Sequence, residues 1–209
     1  VDRAARGLLG ARLVRVDRHG TRVGRIVEVE AYGGPEDRAS HARFGPTART
    51  ATMFGAAGRA YVYGVYGMHT CLNVVTGPPG EAAAVLVRAV EPLAGLETMR
   101  AARLARALAT RRADRADPAR AAARIAALPA RRLAGGPANV AAAFDVTRAD
   151  DGADLLDPAG ALHLEPPPDG EEVPLVRVAH RVGVAYAGPG WADRPWRFVA
   201  VPAGEAESG

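Results

Sequence analysis

The run Ile26-Val27-Glu28-Val29-Glu30-Ala31-Tyr32 places two carboxylates and an aromatic ring at every second position. Val27, Val29 and Ala31 alternate with Glu28, Glu30 and Tyr32. That is the period of a half-buried strand, so the spacing predicts both acids and the ring on one face and the three apolar side chains on the other. His41 follows nine residues after Tyr32, and the tyrosine-rich Tyr61-Val62-Tyr63-Gly64-Val65-Tyr66-Gly67 comes next. A carboxylate beside aromatic side chains suits a flat ligand, and the second tyrosine cluster offers it a further stacking platform.

Arg88 interrupts the apolar run from Ala83 to Val90, so its guanidinium is drawn into apolar surroundings and needs a carboxylate partner, for which Glu30 and Glu91 are the candidates. A neighbouring arginine offsets the rise in carboxylate pKa that burial causes. Glu30 is therefore either an ionised base or one half of a structural ion pair. Tyr61 and Tyr63 share a strand face and either line a pocket with Tyr32 or pack across the sheet. Tyr66, just before Gly67-Met68, falls at a hairpin tip. It either wedges between stacked bases or folds back onto its own sheet. A lone histidine such as His41 is more often an ordinary surface or helix-capping residue than a ligand contact. His69, Cys71, His163 and His180 are too scattered for a metal site, so neither a catalytic metal nor a cofactor is expected.

Composition narrows the chemistry. The 209 residues fit one domain spanning 1–209. All 27 basic residues are arginine, with a net charge of +4, which favours a polyanionic partner. Without lysine, a lysine Schiff base and a Walker-type phosphate loop are both excluded. Cys71 stands alone, so no disulfide forms within the chain. No apolar run approaches the roughly 20 residues of a membrane span, and no secretory leader is visible. A cytoplasmic location is the expectation.

Supporting elements can be read around these residues. A short helix over 2–9, a strand over 11–16 and a turn at His19-Gly20 lead into the strand ending at Tyr32. Ser40 to Arg43 begins a short helix or turn. Strands are expected at 59–66, 69–75 and 83–90, then a helix from Ala94 to about Thr110. The Ala/Arg-rich stretch over about 100–132 reads as an exposed helical excursion or a partly disordered one. Gly135-Gly136-Pro137 opens a helix. After an acidic, proline-containing stretch from Asp150 to Pro174, strands are expected over Val182–Ala187 and Trp196–Val201.

At these residues the chain resembles the alkyladenine (3-methyladenine) DNA glycosylase family of the mammalian type. The resemblance rests on ordered blocks: Arg25 to Tyr32, Gly34-Pro35-Glu36-Asp37 with Ser40-His41, Met53-Phe54, Tyr61-Val62-Tyr63 with Tyr66-Gly67-Met68, and Asn73. Further blocks are Val87 to Pro92, Arg181-Val182-Gly183-Val184, and Trp191 with Arg194-Pro195. It implies a mixed α/β (α+β) single domain, with a curved, mostly antiparallel β-sheet surrounded by helices.

The resemblance also implies a monofunctional enzyme of base-excision repair that flips alkylated purines from damaged double-stranded DNA, acts as a monomer and needs no membrane. In that family pattern Glu30 activates a water for attack at the sugar C1′. Arg88 helps to place that water together with the backbone of 182–184. Tyr32, His41 and Tyr63 wall the flipped base, Asn73 helps to exclude guanine, and Tyr66 fills the gap in the duplex. Substrates would be 3-methyladenine and 7-methylguanine, with hypoxanthine as a further candidate. Nucleoid association during repair would follow. Where the family commonly has a basic residue after its Gly-Pro pair, this chain has Ala138-Asn139, which implies one weaker phosphate contact. Two rival readings are a lesion-binding protein that does not cut and a nucleosidase acting on free nucleosides. A hairpin-tip Tyr66 argues against the second, because a free nucleoside offers no stack to wedge.

Overall fold

Arg12–Asp17 (β1) and Gly20–Tyr32 (β2) form the opening hairpin of the computed structural model, which describes residues 1–65, 69–171 and 174–201. The turn is chemically specified. Asp17 pairs with Gly20, whose φ of +115° favours glycine, and the Asp17 carboxylate accepts the His19 N–H at 2.8 Å. A helix, α1 (Asp2–Leu8), precedes the hairpin.

The remaining strands are β3 (Ala60–Val65), β4 (His69–Val75), β5 (Ala84–Ala94), β6 (Leu162–Glu165), β7 (Leu175–Ala179) and β8 (Arg197–Val201). They join in the order β3-β4-β5-β2-β1-β6, with β8 also on β2 and β7 on β8, and every described pairing is antiparallel. β1 takes residues 20–25 of β2 and β8 takes residues 28–30, so two strands divide one long edge. The expected mixed α/β class with an antiparallel sheet is what the chain forms.

Helices α2 (Leu96–Thr110), α3 (Arg112–Ala116), α4 (Pro118–Ala126), α5 (Ala130–Leu133) and α6 (Pro137–Ala143) gather on one side. α6 lies across β4 and β5, and α2 packs on α6. The Ala/Arg-rich stretch is thus helical. Met99, Ala121, Ile125 and Leu133 are buried, so apolar anchors within and at the ends of the stretch hold it to the core. No helix among the described residues is long and apolar enough to cross a membrane.

Two sequence expectations need correction. Val27 does not join Val29 and Ala31 in the core; Ile26 does. Ile26 pairs with Val90 and Glu28 with Ala89, leaving Val27 as an extra residue in β2, while the next step skips Arg88 in β5. These back-to-back bulges reset the alternation. The second correction concerns Val182–Ala187, which is a turn ending in a 3₁₀ segment over Ala185–Ala187 rather than a strand. Gly183 has a φ of +76°, which breaks the extended run that Val182 and Val184 suggested. The strand in this part of the chain is β7, upstream, and the Asp150–Pro174 stretch contributes β6.

Candidate active site

Register aligns the chemistry. Tyr61 pairs with Asn73, Asn73 with Leu86, Leu86 with Glu30, and Glu30 with Arg197. Directly opposed residues project from the same face, so one row across five strands carries a phenol, an amide, an aliphatic chain, a carboxylate and a guanidinium. Tyr63 opposite Cys71 continues that face. Val62, Leu72, Val85 and Val29, one position along in each strand, belong to the apolar core behind it.

Glu30 is fully buried. Its Oε1 accepts the Val182 N–H at 2.7 Å and lies 3.3 Å from Arg88 Nη1, and its Oε2 accepts the Tyr32 hydroxyl at 2.9 Å. All three neighbours present donors, an arrangement made for the unprotonated carboxylate. Burial first, and then the adjacent Glu30 carboxylate, push the Tyr32 phenol far above its ordinary range, so Tyr32 keeps the proton it donates. For Arg88, burial works against the charge, but Glu30 and Glu28 outweigh it and the net shift is upward.

Arg88 owes its aim to the bulge. Its Nε–H reaches Glu28 Oε1 at 2.8 Å, and Arg197 Nε reaches the same oxygen at 2.7 Å. Glu91, the other partner considered for Arg88, lies instead near Arg25 at 3.6 Å. Glu28 was visible in the sequence as a member of the Glu30 face. Arg197 carried no sequence signal, since only the β2–β8 register brings it there.

His41 opens a short 3₁₀ helix, His41–Phe44, capped by the Ser40 hydroxyl, which accepts the Ala42 N–H at 3.1 Å. Its Nδ1 shares a 3.0 Å hydrogen bond with the Tyr61 hydroxyl, and its ring stands edge-on to Tyr63 with centroids 4.5 Å apart. Burial, then Arg49 and Arg43, push the His41 pKa down to about 4. At neutral pH the ring is uncharged, with one nitrogen donating and the other accepting. Asn73 is buried and anchored, its amide donating to the Tyr61 carbonyl at 3.0 Å.

These side chains line two adjoining spaces. An inner cavity of about 50 Å³ is bounded by Met53, Tyr61 and Asn73, and an outer one of about 520 Å³ by Arg49, Arg88, Pro137 and Val182. Tyr32, His41, Tyr63 and Tyr186 line both. Glu30 lies directly behind Tyr32, Arg88 and Val182. Tyr186 was missed in the sequence because its segment was read as strand; its hydroxyl donates to the Ala39 carbonyl at 2.9 Å.

A second ion pair fixes the loops that bring His41 and Val182 in. Asp37 accepts from Gly33 N–H and Ala39 N–H, each at 3.0 Å, and from both terminal nitrogens of Arg181 at 2.6 and 3.0 Å. Arg181 also donates to the carbonyls of Ala31 and Trp191 at 3.0 Å and lies against the rings of Tyr32 and Trp196. The residue immediately after it, Val182, supplies the backbone donor to Glu30.

The structure thus brings together Glu30, Arg88, Tyr32, His41, Tyr63 and Asn73; Tyr66 lies outside the described residues. No group of three metal-binding side chains occurs among the described residues. Across the start of α6 a further groove of about 250 Å³ gathers Arg103, Arg106, Arg111 and Arg124 beside His69 and Asn139. Asn139 is turned onto the Gly135 carbonyl at 2.6 Å. Asp114 is the acid facing this cluster, 3.0 Å from Arg124 and 3.8 Å from Arg111. Burial, and then the charges of Arg124 and Arg111, lower the Arg103 pKa, the mark of cations crowded together.

Comparison with known proteins gives the family. The family model for methylpurine-DNA glycosylase (MPG) matches residues 1–203. A protein of Anaeromyxobacter dehalogenans (strain 2CP-C) is 45% identical over 197 residues, covering 93% of this chain and 76% of its own. One from Nocardia farcinica is 45% identical over 200 residues, covering 93% and 80%, and one from Methanocella arvoryzae is 43% identical over 194, covering 93% and 84%. All three are provisionally named 3-methyladenine DNA glycosylases. With nearly its whole length matched, the chain belongs to the methylpurine-DNA glycosylase family.

Proposed function

We propose that this DNA glycosylase removes alkylated purines, 3-methyladenine and 7-methylguanine foremost and hypoxanthine more slowly, by attack of a Glu30-activated water on the sugar C1′. The observation that carries the reading is the Glu30 carboxylate, buried yet met by donors from Tyr32, Arg88 and Val182 directly behind an aromatic-walled cavity. The extruded base stacks among Tyr32, His41 and Tyr63, while Asn73 stands at the wall of the inner cavity and opposes an exocyclic amino group. Tyr66 fills the space that the base vacates.

The chemistry balances without a metal or a covalent intermediate. As the glycosidic bond breaks, its electron pair leaves with the purine, neutralising the positive ring of a 3- or 7-alkylated base. Water supplies oxygen to C1′, and its proton passes to Glu30. The products are the free base and an abasic sugar in an unbroken strand. A cationic purine is already a good leaving group and gains from electron-rich rings, so aromatic stacking and one base suffice. With no lysine in the chain, only the terminal amine could form the Schiff base that strand cleavage needs. The arginine groove beside the site suits the flanking phosphates.

Release of 3-methyladenine, 7-methylguanine and hypoxanthine from duplex DNA, with free nucleosides alongside, tests this with wild type and Glu30→Gln. Glu30-dependent release leaving intact abasic strands supports it. A Glu30→Gln variant with unchanged release, or lesion binding without release by the wild type, overturns it.

A further inference from the structure

Glu28 takes no part in the chemistry above, yet it is paired with two arginines beside the site. A single oxygen, Oε1, receives Arg88 Nε at 2.8 Å and Arg197 Nε at 2.7 Å, both from strands flanking β2. Arg88 therefore lies between two acids at unequal distance, 2.8 Å from Glu28 and 3.3 Å from Glu30. Side-chain exposures of 18% for Glu28 and 14% for Arg88 mean that little solvent weakens the pairing.

We propose that Glu28 is a positioning residue: anchored by Arg197, it holds the Arg88 guanidinium by its Nε, so that Arg88 meets Glu30 through one nitrogen instead of closing on it. The inference rests on the glycosylase reading. An arginine free of Glu28 is well placed to form the two-pronged pair that guanidinium and carboxylate prefer. Such a pair would occupy the Glu30 oxygens that the water needs. The bulge that leaves Arg88 unpaired in the ladder is the backbone counterpart of this arrangement. Glu28 and Glu30, two residues apart on one face, thus divide one cation: the outer acid binds it tightly and the inner acid stays reactive.

Groups facing Glu30 other than Glu28 are Tyr32 on β2, Arg88 on β5, Arg197 on β8, and Arg181 with Asp37 behind Tyr32. Cys71 and Tyr186 lie further along the same cavity. Removing the Glu28 charge turns Arg88 wholly toward Glu30. Ionised Glu30 is then favoured, and the acid limb of the pH–rate profile moves to lower pH while the plateau falls.

The test is single-turnover excision of 7-methylguanine by Glu28→Gln, Arg88→Ala and the double variant, across pH, with lesion-duplex affinity measured in parallel. Glu28→Gln should lose about 10- to 100-fold in rate, the scale of a disturbed orienting partner, with affinity changed less than about threefold. In the Arg88→Ala background the same change should cost almost nothing, because Glu28 acts through Arg88. Arg197→Met, which leaves the Glu28 charge in place and removes a cation facing Glu30, should lose less than Glu28→Gln and shift the acid limb the opposite way, to higher pH. Equal losses in both backgrounds, or a fall in rate with an unmoved acid limb, would overturn the assignment. A wild type that releases no base would instead overturn the glycosylase reading itself.

Discussion

Two buried arginine–carboxylate pairs stand within a few residues of one another, and they are satisfied to different degrees. Asp37 receives two donors on each oxygen, a backbone N–H and an Arg181 nitrogen on both sides, and has nothing left to give. Glu30 Oε1 accepts the Val182 N–H and faces Arg88 Nη1 across an ion-pair distance of 3.3 Å, while Oε2 accepts only the Tyr32 hydroxyl. A carboxylate whose acceptor positions are all filled is a fastening. One with an acceptor position to spare, behind the residues that line a cavity, is on the proposed reading a reagent. The contrast also explains why the stabilising pair sits in loops: Asp37 and Arg181 join the segment after β2 to the turn holding Val182, and so set the donor that Glu30 depends on.

The largest effect separating the two pairs should come from Arg181→Met. It leaves the Asp37 charge buried with its backbone donors alone, and urea unfolding should show a loss of about 3–5 kcal/mol. Glu30→Gln should not behave this way. The amide oxygen can take the Val182 and Arg88 contacts while the amide nitrogen turns to the Tyr32 hydroxyl, and Arg88 keeps Glu28, so stability should change by less than about 1 kcal/mol. If the two variants unfold alike, the distinction between fastening and reagent fails.

A smaller effect concerns the charge outside the site. If the groove on α2, α4 and α6 takes phosphates, Arg111→Gln and Arg124→Gln should each reduce the slope of log affinity against log salt by roughly 0.9. Fluorescence anisotropy at several salt concentrations reads this directly. Unchanged slopes would confine DNA binding to the aromatic site and its rim.

The smallest effect is on His41. The folded protein holds it neutral down to about pH 4, whereas in the unfolded chain it binds a proton near its usual 6.5. The native state then carries fewer protons in that window, so His41 stability is present above pH 6.5 and is lost as pH falls toward 4. His41→Gln should make the decline of Tm over that range shallower. An identical decline in both proteins would show that His41 is charged in the native state.

Much of the site was legible before any fold was known. Alternation in β2 placed Glu28, Glu30 and Tyr32 together because a strand turns successive side chains to opposite faces whatever its partners. The same rule linked Tyr61 to Tyr63. It failed at Val27, where a bulge resets the phase, and bulges arise from pairing with a distant strand. The reading of 182–187 as a strand failed for a related reason. Arg181 turns inward to Asp37 and the Val182 N–H goes to a side chain instead of a ladder, neither of which is a local preference.

The sequence alone determined which chemistry was available: a carboxylate beside aromatic rings, arginine as the sole basic side chain, no lysine for a Schiff base, and strand periods that put the acids on one face. Only the tertiary structure decided which carboxylate would be saturated and which left with an acceptor position to spare. That choice depends on hydrogen bonds between residues far apart in the chain, Arg181 with Asp37 at 144 positions and Val182 with Glu30 at 152. Local propensity cannot encode a contact whose partners meet only when the sheet has closed around them.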